Sequence, residues 1–174
     1  MKKINSKLKN KFKKVKLLIL DVDGVLTDNS LYISGNGEEL KRFNVSDGMG
    51  IYLAKKSGIK IALISGRKSK ATQLRAEELR IEDAVLDANE KLTPYRKIKN
   101  KLKIKDGEIA FVGDDLLDIP VLKKAGVPIV VRNSNHITKK YAAYVTQANG
   151  GEGAVREVID LILESKGLNL EKLI

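Results

Sequence analysis

Cysteine is absent from the chain of 174 residues, and histidine occurs once, at His136. The lack of cysteine excludes disulfide scaffolds, thiolate metal sites and cysteine nucleophiles, and a single histidine excludes a zinc site built from several histidines. Apolar runs are only a few residues long, too short to span a bilayer. The first sixteen residues are basic but lack the continuous apolar segment of a signal peptide. We therefore expect a soluble cytoplasmic protein with no membrane partner.

Positive charge is concentrated at one end of the chain. The formal net charge is +11, and residues 1–16 contain eight lysines and no acidic residue, which leaves +3 for the remainder. We interpret residues 1–16 as a basic segment and residues 17–174 as one domain, large enough to bury a hydrophobic core. A nucleic-acid-binding module that uses the basic segment is an alternative function. Phe12 is the only aromatic residue in that segment, which argues against base stacking.

Short apolar runs alternate with helical patterns along the domain, which predicts an α/β fold with a mostly parallel sheet and helices on both faces. A β-hairpin is expected at about residues 30–45, after the first strand, and an apolar tail at about 166–174 that either docks on a neighbouring subunit or frays. The predicted strands span 16–20, 59–64, 84–86, 108–112, 127–131 and 144–146. The predicted helices span 47–57, 69–79, 92–102, 115–125, 135–142 and 154–165.

Polar side chains follow three of the predicted buried strands. Asp21 and Asp23 come directly after the first, Ser65 after the second and Asp114 after a later one. In an extended segment residues i and i+2 point to the same side, so both aspartates can face one cleft, and Gly24 allows the sharp turn that follows. An acidic surface turn is the alternative interpretation of the first motif.

Four motifs together resemble the haloacid dehalogenase superfamily of phosphatases. Asp21-Val22-Asp23-Gly24-Val25 is similar to the first motif, Ser65 to the second, Lys91 to the third and Gly113-Asp114-Asp115-Leu116-Leu117-Asp118 to the fourth. They occur in the order that the superfamily requires. The resemblance implies a Rossmann-like fold and a Mg²⁺-dependent phosphatase.

The resemblance also implies a role for each of the first three motifs. Asp21 attacks phosphorus and becomes an aspartyl-phosphate, and Asp23 protonates the leaving alcohol and then deprotonates the hydrolytic water. Ser65 donates a hydrogen bond to a phosphoryl oxygen. Lys91 neutralises the phosphoryl oxygens and the nucleophile.

For the metal, the resemblance implies Mg²⁺ ligands from the side chains of Asp21 and Asp114 and from the backbone carbonyl of Asp23. Asp115 and Asp118 are expected to orient metal-bound waters, Lys91 or the loop. Capping of the following helix is the alternative role for both of these aspartates.

Within the superfamily, the chain resembles the 3-deoxy-D-manno-octulosonate 8-phosphate (KDO 8-phosphate) phosphatases, on 23-DGVLTD-28, 43-FNVSDG-48, 64-ISGRKS-69 and 150-GGEGAVRE-157. These enzymes lack a cap domain and are homotetramers whose hairpins form the oligomer core, with neighbouring subunits shaping the active-site entrance. Their reaction belongs to lipopolysaccharide synthesis. A phosphatase for a nine-carbon sugar-acid 9-phosphate is the nearest alternative.

Substrate contacts are predicted for Arg67, Arg75, Asp47 and Gly48. The substrate carries a carboxylate besides its phosphate, and a guanidinium can bind either group with two hydrogen bonds. A surface salt bridge is the alternative for Arg67, and helix capping is the alternative for Asp47.

Overall fold

A computed structural model describes residues 4–173, and it has a six-stranded parallel sheet in the order β5-β4-β1-β6-β7-β8. This arrangement confirms the predicted α/β class. The strands of this sheet are β1 Leu17–Leu20, β4 Lys60–Ile64, β5 Asp83–Val85, β6 Ile109–Gly113, β7 Val127–Val130 and β8 Tyr144–Val145. The remaining strands, β2 Tyr32–Ile33 and β3 Glu39–Leu40, form a separate antiparallel hairpin.

The sheet separates two hydrophobic clusters. Leu18 and Leu20 of β1 face one cluster, whereas Leu17 and Ile19 face the other, because successive side chains of a strand point to opposite faces. The first cluster lies under α1 Ser6–Lys13, α2 Val45–Lys56, α3 Lys70–Glu78 and α6 Ala154–Ser165. The second lies under α4 Leu92–Leu102 and α5 Ile119–Leu122. Among the described residues, no helix has the length and apolar character needed to cross a membrane.

The lysine-rich start of the chain contributes a helix to the first cluster. The Asn5 side chain caps α1 by accepting a hydrogen bond from the Leu8 amide. Phe12 is fully buried and meets the ring of Tyr144 edge-on, with the ring centroids 6.1 Å apart. The helix therefore joins the core through Phe12, while most of its lysines stay exposed.

The predicted start of α2 is wrong by two residues, whereas that of α4 is confirmed. α2 begins at Val45 and is capped by the Asn44 side chain rather than by Asp47. At α4 the Glu90 carboxylate accepts hydrogen bonds from the Leu92 and Thr93 amides of the first turn. Asn44 and Glu90 are the better acceptors because each lies one to three residues before the free amides of the first turn.

Two predicted helices are shorter than expected. The segment 115–125 forms a 3₁₀ turn, Leu116–Asp118, and then the four-residue α5, with Pro120 in its first turn. The segment 135–142 forms only a 3₁₀ turn, Thr138–Tyr141. The turn ends there because the Ala143 amide donates a hydrogen bond to the Pro128 carbonyl of β7, and the chain continues into β8.

The chain between β1 and α2 contains the hairpin and has no room for a cap domain, as the resemblance implied. At the other end, the tail turns back on its own chain. Leu168, Leu170 and Leu173 pack against the first cluster, and Lys166 Nζ donates to the Lys13 carbonyl at 2.9 Å. The tail is therefore partly ordered against its own chain, and its docking on a neighbouring subunit stays a prediction.

Asp47 connects α2 to α6. Its carboxylate is 1% exposed and accepts a hydrogen bond from the Arg156 amide at 2.7 Å, in the first turn of α6. Gly153, which precedes α6, offers no side-chain cap, so Asp47 supplies this cap from another helix. Burial raises the pKa of Asp47 to about 6, even though backbone amides of α6 act in the opposite direction.

Replacement of Phe12 tests whether α1 is part of the core. We expect Phe12→Ala to lower the free energy of unfolding by about 3–5 kcal/mol, because the change leaves a cavity between α1 and the sheet. Urea unfolding measures the effect. Lys11→Ala, on the exposed side of the same helix, is the control and should change stability by no more than about 0.5 kcal/mol. Equal stability of the two variants would contradict the packing.

The buried Asp47 predicts a pH dependence of stability. An unfolded aspartate titrates near about 3.9, so between about pH 4 and pH 6 the folded chain binds more protons at Asp47 than the unfolded chain does. The stability of the wild type relative to Asp47→Asn should therefore fall as pH rises through this window, by up to about 3 kcal/mol. Urea unfolding across the window measures the difference. Asp47→Ala is the control: neither variant has a titratable side chain at position 47, so the difference in free energy of unfolding between Asp47→Ala and Asp47→Asn should not change with pH. A difference between the wild type and Asp47→Asn that also does not change with pH would refute the prediction.

Candidate active site

The functional residues predicted at strand ends meet in one cleft of about 190 Å³. Asp21 follows β1, Ser65 follows β4 and Asp114 follows β6, and these three strands are neighbours in the sheet. Parallel strands bring their carboxyl ends to the same edge, so residues 40 to 50 positions apart converge there. The lining also includes Asp23, Asn29, Gly66, Arg67, Lys91, Asp115, Leu117 and Asp118.

Lys91 lies between two carboxylates. Its Nζ is 2.7 Å from Asp21 Oδ2 and 2.6 Å from Asp118 Oδ1, and the residue is 4% exposed. Burial alone would lower the pKa of Lys91, but the charges and hydrogen bonds of the two aspartates outweigh it and raise that pKa above its ordinary value. The ammonium therefore stays charged beside Asp21.

Asp118 orients both Lys91 and the loop after β6. Its Oδ2 accepts hydrogen bonds from the amides of Asp114, at 2.8 Å, and Asp115, at 3.2 Å. A Cβ at Gly113 would lie 2.5 Å from that oxygen, so only glycine leaves room for the contact. Asp115 has the capping role that was its alternative: its Oδ1 accepts a hydrogen bond from the Leu116 amide and caps the 3₁₀ turn.

The site has an excess of buried negative charge. Carboxylate oxygens of Asp21, Asp114 and Asp118 lie within 4.8 Å of one another, and all three residues are buried. Burial, followed by the charge of Asp118, raises the pKa of Asp21 well above its ordinary value and that of Asp114 to about 7. Lys91 supplies one positive charge to three carboxylates, so an added cation fits this cluster.

An all-oxygen donor set suits Mg²⁺. Asp118 belongs to the cluster by distance, although its Oδ2 already accepts two amides and its Oδ1 binds Lys91. Asp118 also has no solvent exposure, whereas Asp21 and Asp114 are slightly exposed to the cleft and are therefore the better side-chain ligands. Gly24, at φ +84°, lies against the Asp114 carboxylate, where a Cβ would overlap with it.

Asp23 has a different set of partners from Asp21. Its Oδ1 is 2.6 Å from Lys41 Nζ, and the Lys41 side chain is fully buried. In the part of the chain that the structure describes, Asp23 Oδ2 is buried and accepts no hydrogen bond, and Arg67 Nε lies 3.9 Å away. The two aspartates of the first motif thus share the cleft but are paired with different lysines.

Ser65 and Arg67 line the cleft next to Asp23. The Ser65 hydroxyl is buried and accepts a hydrogen bond from the Arg67 amide at 3.3 Å. Arg67 is half-exposed, and its Nη2 lies 2.7 Å from Glu39 Oε2 in the hairpin. Arg67 therefore combines the position predicted for a substrate contact with the salt bridge that was its alternative.

Three residues predicted to contact substrate do not line this cleft in the single chain, and their contact with substrate stays a prediction. Asp47 is buried against α6, as described above. Gly48 packs against Arg75, and a Cβ there would lie 2.6 Å from the Arg75 guanidinium. Arg75 binds Glu78 at 2.8 Å and stacks over the Phe43 ring. The α2 helix packs against α6 and places Asp47 there, with Gly48 beside Arg75.

The sequence analysis missed Lys41 and Glu39. A lysine carries little information in a chain with 33 lysines and arginines. The spacing is the signal that could have revealed the pair, since Glu39 and Lys41 are two residues apart at the end of the hairpin and lie on the same face of an extended segment.

Comparisons with known proteins agree with this geometry. A family model of haloacid dehalogenase-like hydrolases matches residues 88–159. The chain is 43% identical to the KDO 8-phosphate phosphatase of Salmonella typhi, over 94% of this chain and 87% of that protein. It is 45% identical to the phosphatase of the same name from Escherichia coli K12, over 90% of this chain and 84% of that protein.

A solved structure gives the same result. The KDO 8-phosphate phosphatase of Moraxella catarrhalis, in complex with magnesium ion, phosphate ion and KDO, has a TM-score of 0.92 and 38% identity, and the match covers 94% of each chain. With this similarity over nine-tenths of its length, the chain belongs to the KDO 8-phosphate phosphatase family of the haloacid dehalogenase-like hydrolases.

Proposed function

We propose that this protein is a Mg²⁺-dependent phosphatase that hydrolyses KDO 8-phosphate to KDO and phosphate through an aspartyl-phosphate on Asp21. The observation that carries the proposal is the buried cluster in which Lys91 joins Asp21 to Asp118 beside Asp114. The product enters lipopolysaccharide synthesis, the pathway that the resemblance implies.

The first step forms a bond between Asp21 and phosphorus. An Asp21 carboxylate oxygen attacks phosphorus, the bond to the sugar oxygen breaks, and Asp23 gives its proton to that oxygen. Two like charges 4 Å apart repel by roughly 1 kcal/mol in water and roughly 4 kcal/mol at an effective dielectric constant near 20. Lys91 reduces this repulsion because its ammonium already contacts Asp21.

The second step regenerates Asp21. Asp23 takes a proton from a water molecule, the resulting hydroxide oxygen attacks phosphorus, and the bond between phosphorus and Asp21 breaks to release phosphate. Ser65 donates its hydroxyl hydrogen to a phosphoryl oxygen in both steps. When bound by Asp21, Asp114 and the Asp23 carbonyl, Mg²⁺ supplies further positive charge against the phosphate.

The chemistry of the substrate fits the rim of the cleft. KDO 8-phosphate carries a carboxylate in addition to its phosphate, and the half-exposed Arg67 guanidinium at the rim can bind a carboxylate with two hydrogen bonds. The Moraxella catarrhalis relative was solved with magnesium, phosphate and KDO bound, which supports the same substrate for this chain.

Replacement of Asp21 tests the mechanism. We expect Asp21→Asn to lower phosphate release from KDO 8-phosphate by at least about 10³-fold, because an amide oxygen is a poor nucleophile towards phosphorus. Asp83→Asn is the matched control, since Asp83 pairs with Lys101 outside the cleft. Chelation of Mg²⁺ should abolish wild-type activity, and added Mg²⁺ should restore it.

The same assay identifies the substrate. A panel that contains KDO 8-phosphate and a nine-carbon sugar-acid 9-phosphate should give the higher kcat/KM for KDO 8-phosphate. A higher value for the nine-carbon compound would replace the proposed substrate with the alternative. Substantial turnover by Asp21→Asn would refute the aspartyl-phosphate.

We also propose that the chain forms a homotetramer through its hairpin. Tyr32 and Leu40 are cross-strand partners on the hairpin, and each is at least half exposed. Leu31, directly before β2, and Ile33, within β2, are also exposed. Apolar side chains gathered on such a small element favour a protein interface, and the motif resemblance implies four subunits.

Light scattering after size-exclusion chromatography tests the assembly. We expect the wild type to elute with the mass of four chains, and the double variant Tyr32→Ser, Leu40→Ser to elute as smaller species because it loses apolar interface area. Ile137→Ser, which changes an exposed apolar residue distant in sequence from the hairpin, is the control and should keep the wild-type mass. A monomeric wild type would contradict the proposal.

A further inference from the structure

The side chain of Lys41, at the exit of the hairpin, is fully buried. Its Nζ donates to Asp23 Oδ1 at 2.6 Å and to the Thr72 hydroxyl at 3.3 Å, and Glu39 Oε1 lies 3.6 Å away. A buried ammonium is costly unless it is paired, so the position of Lys41 is determined by these partners. The same contacts also determine the position of the Asp23 carboxylate.

Lys41 cannot itself meet the substrate. Its side chain has no solvent exposure, and it is not among the residues that line the cleft. Asp23 does line the cleft. An effect of Lys41 on catalysis must therefore pass through Asp23.

The two oxygens of Asp23 are in different environments. Lys41 occupies Oδ1, whereas Oδ2 accepts no hydrogen bond within residues 4–173. A group that gives a proton and later takes one back needs one oxygen free for the transfer and a fixed orientation. The contact with Lys41 supplies the orientation and leaves Oδ2, which is buried 3.9 Å from Arg67 Nε, without a hydrogen bond of its own among the described residues.

We infer that Lys41 is the positioning residue of the general acid and base Asp23, an inference that rests on the proposed function. The hairpin thereby orients the proton-transfer group, while Lys91 contacts the nucleophile Asp21. Without Lys41 the Asp23 carboxylate loses its fixed rotamer, and proton transfer to the leaving sugar oxygen slows.

Leaving-group dependence separates this role from a purely structural one. kcat/KM covers only the steps up to departure of the alcohol. A sugar alkoxide needs the proton from Asp23, whereas p-nitrophenolate is a weak base that leaves without it. We expect Lys41→Met to lower kcat/KM for KDO 8-phosphate by about 10- to 100-fold and that for p-nitrophenyl phosphate by less than about threefold.

Two further variants accompany Lys41→Met. Lys41→Gln keeps a hydrogen-bond donor without the charge, and it provides the measurement if the methionine variant does not fold. Lys60→Met, an exposed lysine on β4, is the matched control and should leave both substrates unaffected. Circular dichroism and thermal unfolding establish that each variant is folded.

A double-mutant cycle gives a second, independent test. If Lys41 acts only through Asp23, then Lys41→Met combined with Asp23→Asn should have the same kcat/KM for KDO 8-phosphate as Asp23→Asn alone, within about twofold. Two results would overturn the inference. One is an equal loss of kcat/KM for KDO 8-phosphate and p-nitrophenyl phosphate in Lys41→Met. The other is a kcat/KM of the double variant that falls below that of Asp23→Asn by the full factor lost in Lys41→Met.

Failure of the proposed function can be distinguished from failure of the inference about Lys41, because in the first case the wild type itself releases no phosphate from KDO 8-phosphate. The cycle would then be measured with the sugar phosphate of the panel that the wild type does cleave.

Discussion

The burial of a lysine ammonium among carboxylates at the carboxyl end of the sheet is the interaction on which the site depends. Lys91 binds Asp21 and Asp118 at a depth where an unpaired charge would cost several kcal/mol. Loss of any partner therefore disturbs the others. Asp118 extends this dependence to the backbone, because its second oxygen accepts the amides of the loop that carries Asp114.

A second lysine with a buried side chain places the two aspartates of the first motif in different environments. Asp21 and Asp23 are two residues apart, and Val22 between them is fully buried in the core, which holds the motif in place. Lys91 reaches Asp21 from the start of α4, whereas Lys41 reaches Asp23 from the hairpin. Two carboxylates of the same type thus acquire separate environments, which is the general condition for separate nucleophile and acid–base roles.

The sequence predicted the strands that matter and the residues at their ends, because a buried parallel strand is a continuous apolar run and a polar group directly after it needs a functional or structural reason. Local signals predicted α4 and α6 with the observed bounds. They failed for 135–142, where the need to pair β8 with β7 ended a helical pattern early. They also failed for Asp47, since nothing local indicates that an aspartate in one helix caps another.

By itself, the sequence determined the α/β class, the order of the motifs and the identity of Asp21, Asp23, Ser65, Lys91 and Asp114 as a candidate set. The α/β class and the polar residues Asp21, Asp23, Ser65 and Asp114 follow from local patterns of burial and from the ends of the apolar runs, whereas Lys91 and the order of the motifs follow from the resemblance to the superfamily. Only the tertiary structure decided which lysine meets which aspartate, because such pairs join residues 18 to 70 positions apart. Their formation depends on the three-dimensional balance between desolvation and charge pairing, which linear spacing does not encode.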